Sequence, residues 1–213
     1  MYHQIKSQIR RSFFAYNAYL FLRYRWLWID WLRQGKPVPP PHLVKQRCVL
    51  QYGRRFNLRV LVETGTYRGE MVHALRAAFR EIYTIELGQE LYAEAQRMFA
   101  PFPHIHVLQG DSTKVLRDVL SRIEEPCLFW LDAHYSGKGT ALADRETPVL
   151  GELDCIFSHA VKGHVILIDD ARCFNGNNDY PPLAEIKAYV NERRPDQLCE
   201  VHNDIIRIYP PSD

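Results

Sequence analysis

The sequence predicts an α/β protein with a doubly wound, mostly parallel sheet of seven strands, a C-terminal antiparallel hairpin and an N-terminal helical arm. Short apolar runs alternate with amphipathic helical segments from residue 58 onward, which is typical of parallel strands joined by helices. The runs are nearly continuous in Val, Ile and Leu, as expected for strands covered on both faces. The last two runs flank Asn203-Asp204, a tight polar turn typical of a hairpin.

The predicted elements follow in a regular order. One helix lies in the arm, up to about Leu32, and a second spans residues 42–56, with a Pro-rich linker at 35–41 between them. Parallel strands are predicted at 58–63, 81–86, 104–109, 127–132 and 164–169. Helices are expected near 68–80, 88–99, 113–123, 148–160 and 180–194, and the hairpin strands at 197–202 and 205–209. Right-handed crossovers make such a sheet Rossmann-like.

The composition indicates one globular domain preceded by the arm. The 213 residues are 46% hydrophobic with a net charge of only +2, which excludes disorder as the main state. Residues 1–36 hold seven Lys/Arg against one acidic residue, and three of the four Trp. We therefore predict an arm at 1–36 and a Rossmann-like domain at 37–213. The domain has a net charge of −4, so it lacks the positively charged surface that binding to nucleic acid requires. Five scattered cysteines indicate reduced thiols in a cytoplasmic protein.

The arm has two interpretations. Its uncharged stretch at 12–22 covers 11 residues, about half of a membrane span, and no small-residue cleavage region follows it. Neither a transmembrane helix nor a cleaved signal is therefore predicted. In the first interpretation the helix packs on its own domain or on a partner subunit, so that residues 1–34 would join a homo-oligomer. In the second, the helix lies in a membrane interface, with Trp and Tyr at the headgroups and Arg on phosphates.

A glycine-containing loop follows the first strand, and ligands of an open parallel sheet bind at the carboxyl ends of its strands. After Glu63 come Gly65, which allows a tight turn, and Gly69, which allows a helix to approach closely. Tyr67 stands where a dinucleotide site needs a small residue beside the pyrophosphate. The loop therefore argues against NAD and for a ligand without a pyrophosphate, although two such glycines are also common in purely structural turns.

Acidic residues also end the next two strands. Glu86 comes 21 residues after Gly65, where a carboxylate can accept hydrogen bonds from a ribose diol. Asp111, followed by Ser112, can accept from an adenine amino group or cap the helix at 113–123, and both roles can hold together. Three consecutive strands with acidic ends at this spacing indicate a site for a nucleoside-containing ligand.

Three aspartates follow the fourth and fifth strands, Asp132 after one and Asp169-Asp170 after the other. If these strands are neighbours about 4.8 Å apart, the carboxylates crowd together and repel unless a cation or proton lies between them. Such an all-oxygen site suits Mg²⁺ or Ca²⁺. Alternatively, one or two of them only cap loops or pair with Arg172 or Arg145. Both Asp169 and Asp170 can be ligands only if the strand has already ended, since neighbours on a strand point to opposite faces.

Three segments together resemble a known family: the run from Val62 to Gly69, Leu131-Asp132, and Ile168-Asp169-Asp170. Residues 58–209 look like a class I S-adenosylmethionine (SAM) dependent methyltransferase, and they are most similar to the macrocin O-methyltransferase group, which methylates sugar hydroxyls. The sequence departs from that group at Ala133, where glycine is usual, and in the loop at 134–147.

The resemblance implies roles for the residues at the strand ends. It implies SAM as the cofactor, with Glu63, Gly65 and Gly69 around its methionine portion, Glu86 on its ribose, and Asp111 with Ser112 near its adenine. Tyr67 of the same loop is a further candidate for binding the cofactor. It also implies Mg²⁺ as a second cofactor, held by Asp132, Asp169 and Asp170.

The predicted activity is O-methylation of a sugar or other small-molecule hydroxyl, with a glycan as a further acceptor. A divalent cation would lower the pKa of that hydroxyl. Asp132 and His134 are the candidate catalytic residues. His134 lies where a base is needed, and the alternative is that it is a loop histidine with only a structural hydrogen bond. The alternative function is a membrane-peripheral module that keeps the cofactor pocket without chemistry.

Overall fold

The computed structural model describes residues 13–132 and 148–211, with side chains from residue 22 onward. The strands are β1 (Val60–Thr64), β2 (Glu81–Glu86), β3 (Ile105–Gln109), β4 (Leu128–Leu131), β5 (Val165–Ile168), β6 (Leu198–His202) and β7 (Ile205–Tyr209). The helices are α1 (Phe13–Arg33), α2 (His42–Arg55), α3 (Glu70–Leu75), α4 (Gln89–Phe99), α5 (Ser112–Leu120), α6 (Val149–Ser158) and α7 (Leu183–Arg193), and a short 3₁₀ turn spans Ala171–Cys173.

The strands pair as the sequence predicts. Within the described residues, seven strands form one sheet in the order β3-β2-β1-β4-β5-β7-β6. Strands β1 to β5 are parallel, whereas β7 runs antiparallel to both β5 and β6. The mostly parallel, Rossmann-like sheet with a C-terminal hairpin and an N-terminal helix is therefore confirmed.

Apolar side chains alternate between two cores on the two faces of the sheet. Val62 and Phe129 face a core closed by α5, α6 and α7, whereas Leu61 and Leu128 face a core closed by α2, α3 and α4. All four are fully buried, as the period of two along a strand requires when both faces are covered. This double covering explains why the strand sequences are nearly continuous in apolar residues.

Helix α3 is shorter than the predicted helix at 68–80. Gly69 has a left-handed backbone (φ 68°) and immediately precedes the helix, so the helix cannot begin earlier. At the other end, the Ala78 N–H donates to the Leu75 carbonyl at 2.8 Å, which tightens the chain into a turn toward β2. The predicted bounds were wrong because the residues after Leu75 are of types that favour a helix, whereas the chain must turn there to enter β2.

One face of helix α1 packs against the domain. The buried Trp31 indole N–H donates to the Pro37 carbonyl at 2.7 Å, which ties the linker to the end of the helix. The Arg47 guanidinium lies 4.4 Å from the ring centre of Trp28, and the Tyr24 hydroxyl donates to Glu70. The boundary at residue 36 stays a prediction.

Two further predictions concern the chain as a whole. All five cysteines lie among the described residues and are free thiols, as predicted. In the described part of the chain, no helix combines the length and the apolar character that crossing a membrane requires.

Candidate functional site

The site lies at the carboxyl ends of the strands, where the strand order reverses. Strand β1 has β2 on one side and β4 on the other, so successive crossovers diverge from β1 and leave a crevice beside its end. Glu63, Glu86, Asp132 and Asp169 all lie at or just after strand ends on this edge. The fold thus brings together the acidic residues of β1, β2, β4 and β5.

The loop after β1 is held against the end of β2 by backbone hydrogen bonds. The N–H groups of Gly65 and Thr66 both donate to the Ile85 carbonyl, at 2.9 and 3.2 Å. Gly65, Tyr67 and Gly69 have positive φ angles of 85°, 47° and 68°. Glycine adopts such angles without strain, whereas Tyr67 is a non-glycine residue in this region. Its side chain is 45% exposed.

Gly69 is also required by packing. A Cβ atom at this position would lie 2.8 Å from two atoms of the Phe99 ring. The loop can therefore approach α4 closely only because residue 69 has no side chain. The sequence predicted a close approach of helix to strand at this glycine, whereas the neighbour that the structure shows is the Phe99 side chain of α4.

Glu63 is buried in a chain of hydroxyl groups. The Thr84 hydroxyl donates to the Glu63 carboxyl at 2.6 Å, and the Thr66 hydroxyl lies 2.6 Å from that of Thr84. Burial raises the pKa of Glu63 to about 8, the Thr84 hydrogen bond opposes this shift, and the nearby charge of Glu86 adds to it. Glu63 therefore titrates close to neutral pH.

Glu86 closes the loop from the other side. One of its carboxylate oxygens accepts the Tyr67 N–H at 2.7 Å, and the other accepts the Gly88 N–H at 2.8 Å. Each oxygen can accept a further hydrogen bond. Glu86 thus shapes the loop and keeps acceptor capacity for a ligand diol.

Asp111 caps helix α5. Its Oδ1 accepts the Thr113 N–H at 2.9 Å and the Thr113 hydroxyl at 2.7 Å. Burial raises the pKa of Asp111, but these bonds and nearby Lys114 outweigh burial and hold the pKa below its ordinary value. Ser112 is buried as the first residue of the helix. The capping role is therefore present, and contact with an adenine stays a prediction.

Three aspartates converge beyond β4 and β5. Carboxylate oxygens of Asp132, Asp169 and Asp170 all lie within 4.8 Å of one another. Strand β5 ends at Ile168, and Asp170 has a left-handed backbone (φ 54°). The alternation of a strand has therefore ended, which is the condition under which Asp169 and Asp170 can serve one site.

Lys45, which the sequence analysis did not identify, lies inside this aspartate cluster. Its Nζ is 2.5 Å from Asp169 Oδ2 and 3.3 Å from Asp170 Oδ1. Burial lowers the pKa of Lys45, but Asp169 and Asp170 outweigh burial and raise it above its ordinary value. No motif could have revealed Lys45, because it lies on α2, before the first strand.

The hairpin at the end of the chain supports the same cluster. Arg172 Nη1 lies 2.7 Å from Asp170 Oδ1 and also pairs with buried Asp204 of the β6–β7 turn. The Arg172 N–H donates to Asp204 Oδ1 at 2.8 Å. The predicted alternative of pairing with Arg172 is thus realised for Asp170. His134 and Arg145 lie outside the described residues.

The donor set fits a divalent cation. Four carboxylates, of Asp132, Asp169, Asp170 and Asp204, face two cationic side chains, of Lys45 and Arg172. Burial, followed by the charge of Asp169, raises the pKa of Asp132 well above its ordinary value, although Lys45 opposes the shift. Opposite oxygen ligands lie ~4.2 Å apart around Mg²⁺ and ~4.6–5.2 Å apart around Ca²⁺. A spacing of up to 4.8 Å therefore suits Ca²⁺ directly, and it suits Mg²⁺ once the oxygens move slightly closer together.

Solved methyltransferases share this fold at low sequence identity. The O-methyltransferase TomG from Streptomyces achromogenes, involved in tomaymycin synthesis and solved with SAM, is 14% identical, with a TM-score of 0.59 over 89% of each chain. An O-methyltransferase from Bacillus cereus, solved with SAH, is 14% identical, with a TM-score of 0.58 over 84% of this chain and 86% of its own. The SAH-bound Podospora anserina methyltransferase PaMTH1 is 17% identical, with a TM-score of 0.53 over 79% of this chain and 78% of its own.

Sequence comparison adds no closer relative, since no protein-family model and no curated protein matches the chain. The resemblance to the macrocin O-methyltransferase group therefore stays a prediction. What the likenesses establish is architecture: the chain has the Rossmann-like fold of class I methyltransferases, with its acidic crevice at the same edge of the sheet where ligands of such folds bind.

Proposed function

We propose that the protein is a SAM-dependent methyltransferase that methylates a hydroxyl group of a sugar or other small molecule. One observation carries the proposal: Glu63, Glu86 and Asp132 end the adjoining strands β1, β2 and β4 around the crevice. The charge of Glu86 raises the pKa of Glu63, and the charge of Glu63 in turn raises the pKa of Asp132. The three carboxyl groups are therefore near enough to one another to line a single site.

The cofactor would lie along the ends of β1 to β3. Its ribose diol would donate to the free acceptor positions of Glu86, and its methionine portion would lie beside Gly65 and Glu63. The loop supports this placement because Gly69 brings it close to α4 while Tyr67 remains half-exposed beside it. The positive charge of the sulfonium would favour ionisation of Glu63, and the resulting carboxylate would attract it. The adenine would lie near Asp111 and Ser112.

The acceptor would lie on the other side of the crevice, beside the aspartate cluster. Methyl transfer breaks the bond between sulfur and the methyl carbon while the acceptor oxygen forms its bond to that carbon. The leaving group would be SAH, whose neutral thioether sulfur would keep the electron pair. Asp132 would accept the hydroxyl proton, and Lys45 would hold Asp169 and Asp170 in position.

Mg²⁺ would be held by Asp132, Asp169 and Asp170. When bound, a divalent cation lowers the pKa of a nearby hydroxyl group and so eases its deprotonation. The support for this part of the proposal is the surplus of carboxylates over cationic groups in the cluster.

Calorimetric titration of the purified full chain with SAH tests the proposal. Wild type should bind SAH, and Glu86→Gln should bind at least about tenfold more weakly, because a charged acceptor of the ribose diol is lost. Glu81→Gln, at the other end of the same strand and 2.7 Å from His106, is the matched control and should bind like wild type. Binding of NADH in place of SAH, or equal SAH affinity in both variants, would reject the proposed site.

A further inference from the structure

Helix α1 carries an apolar face that points away from the domain. Leu22 and Trp26 are 67% and 65% exposed, and Ile29 is 40% exposed. Their spacing of four and three residues places them on one side of the helix. Trp31, on the opposite side, is buried against the domain. The helix therefore uses one face for packing and leaves an aromatic and aliphatic stripe on the other.

Basic residues border this stripe. Arg23, Arg25 and Arg33 lie on the same helix, Lys36 follows it, and all four are exposed. Asp30 is the only acidic residue in the sequence from 1 to 36. It accepts a hydrogen bond from Gln34 at 2.6 Å. The outer face of α1, meaning Leu22, Trp26 and Ile29 with these four basic residues, thus combines apolar side chains with positive charge.

We propose that the outer face of α1 binds the surface of an anionic lipid bilayer. A helix with Trp and Leu on one side and Arg or Lys at its borders lies in the plane of an interface, with apolar side chains among acyl chains and cations at phosphates. The rest of the chain, at −4 over 177 residues, would be repelled by the same lipids. The contact is therefore confined to the arm.

Charge favours a lipid surface over a second copy of the chain. A two-fold symmetric contact places the same patch of both copies face to face. It would bring the arginines of one outer face against those of the other, and each copy would supply only Asp30 from residues 1–36 to neutralise them. Anionic headgroups supply the opposite charge that a second copy largely lacks.

Vesicle flotation of the full chain tests the proposal. Wild type should float with vesicles of phosphatidylcholine and phosphatidylserine, should float poorly with phosphatidylcholine alone, and should dissociate as salt shortens the Debye length from about 10 Å at 0.1 M to about 3 Å at 1 M. Leu22→Ser/Trp26→Ser should lower the partition coefficient at least about tenfold, and Arg33→Gln/Lys36→Gln should remove the preference for phosphatidylserine.

A matched control removes exposed apolar side chains elsewhere. Leu198 and Val201 of β6 are 48% and 38% exposed, and Leu198→Ser/Val201→Thr should float like wild type. Circular dichroism verifies that each variant is folded. The proposal is overturned if wild type does not float, if the arm variants float as well as the control, or if light scattering shows a wild-type dimer that Leu22→Ser/Trp26→Ser converts to a monomer.

Discussion

Lys45 determines much of the charge balance at the aspartate cluster. The side chain of Asp169 is almost fully buried and that of Lys45 is 14% exposed, with 2.5 Å between Nζ and Oδ2. Burial raises the pKa of Asp169 above its ordinary value, and the ammonium of Lys45 opposes that shift. A pair this well shielded from water is sensitive to the loss of either partner.

Lys45→Met should therefore destabilise the protein at pH 7. Removing the ammonium leaves buried carboxylates uncompensated, and we expect the free energy of unfolding to fall by about 3 kcal/mol. Mg²⁺ should restore part of this loss, because a bound cation would replace the missing charge. Urea unfolding with and without Mg²⁺ measures both effects. Lys187→Met, at an exposed position of α7, is the control, and an equal effect of both substitutions would contradict the assigned role of Lys45.

Glu63 makes stability depend on pH in a defined direction. Its pKa is about 8 in the folded protein and 4.5 as the ordinary value, so the folded state keeps a proton that the unfolded chain releases between these values. Stability is therefore full below about pH 4.5 and falls as the pH rises toward 8. Glu63→Gln stays neutral and can still accept from Thr84.

Compared with wild type, Glu63→Gln should be more stable by roughly 4–5 kcal/mol at pH 8.5 and nearly equal at pH 4.5. Urea unfolding at the two pH values measures the difference. Glu192→Gln, at an exposed position of α7, should change stability little at either pH. A Glu63→Gln protein that is less stable than wild type at pH 8.5 would show that Glu63 is needed as a carboxylate.

At the scale of elements, the β1–α3 loop depends on both backbone and packing. Gly69 and Gly163 have positive φ angles of 68° and 82°, so alanine is strained at either position. A Cβ at 69 would lie 2.8 Å from the Phe99 ring, whereas a Cβ at 163 would have Pro126 as its nearest neighbour, at 3.6 Å. Comparing alanine substitutions at the two glycines therefore distinguishes the effect of backbone strain from that of steric contact.

Gly69→Ala should cost about 1–2 kcal/mol more than Gly163→Ala, because only the first substitution adds an overpacked contact. Chemical denaturation of both variants measures the difference. The double variant Gly69→Ala/Phe99→Leu should recover part of the loss by making room for the methyl group. If the two single variants cost the same, contact with Phe99 is not what requires glycine at 69.

At the scale of the whole molecule, one sheet positions the carboxylates of the site and helix α2 adds Lys45, so a ligand in the crevice should stabilise the entire domain. SAH at about 100 times its dissociation constant adds about 2.7 kcal/mol. For a chain of 213 residues, this corresponds to a rise in melting temperature of about 5–10 °C. Differential scanning fluorimetry measures the shift, and NADH at the same concentration should produce none. A shift with NADH alone would point to a dinucleotide site.

The sequence by itself determined the sheet, its hairpin and the carboxylates at the strand ends. These features depend on local signals: nearly continuous apolar runs between helical segments, a polar turn at Asn203-Asp204, and glycines after the first strand. Each feature can be predicted from its own segment of sequence, because the residue pattern of that segment already specifies which faces must be buried. The observed order of strands in the sheet confirms the predicted sheet and its C-terminal hairpin.

Only the tertiary structure decided what the carboxylates touch. Lys45 reaches Asp169 from 124 residues away along the chain, and Asp204 reaches Arg172 from a turn near the C-terminus. The left-handed backbone at Asp170, which lets neighbouring aspartates serve one site, likewise has no sequence pattern of its own. Contacts between segments distant in sequence follow from how helices and turns pack on the sheet, and local periodicity carries no information about that packing.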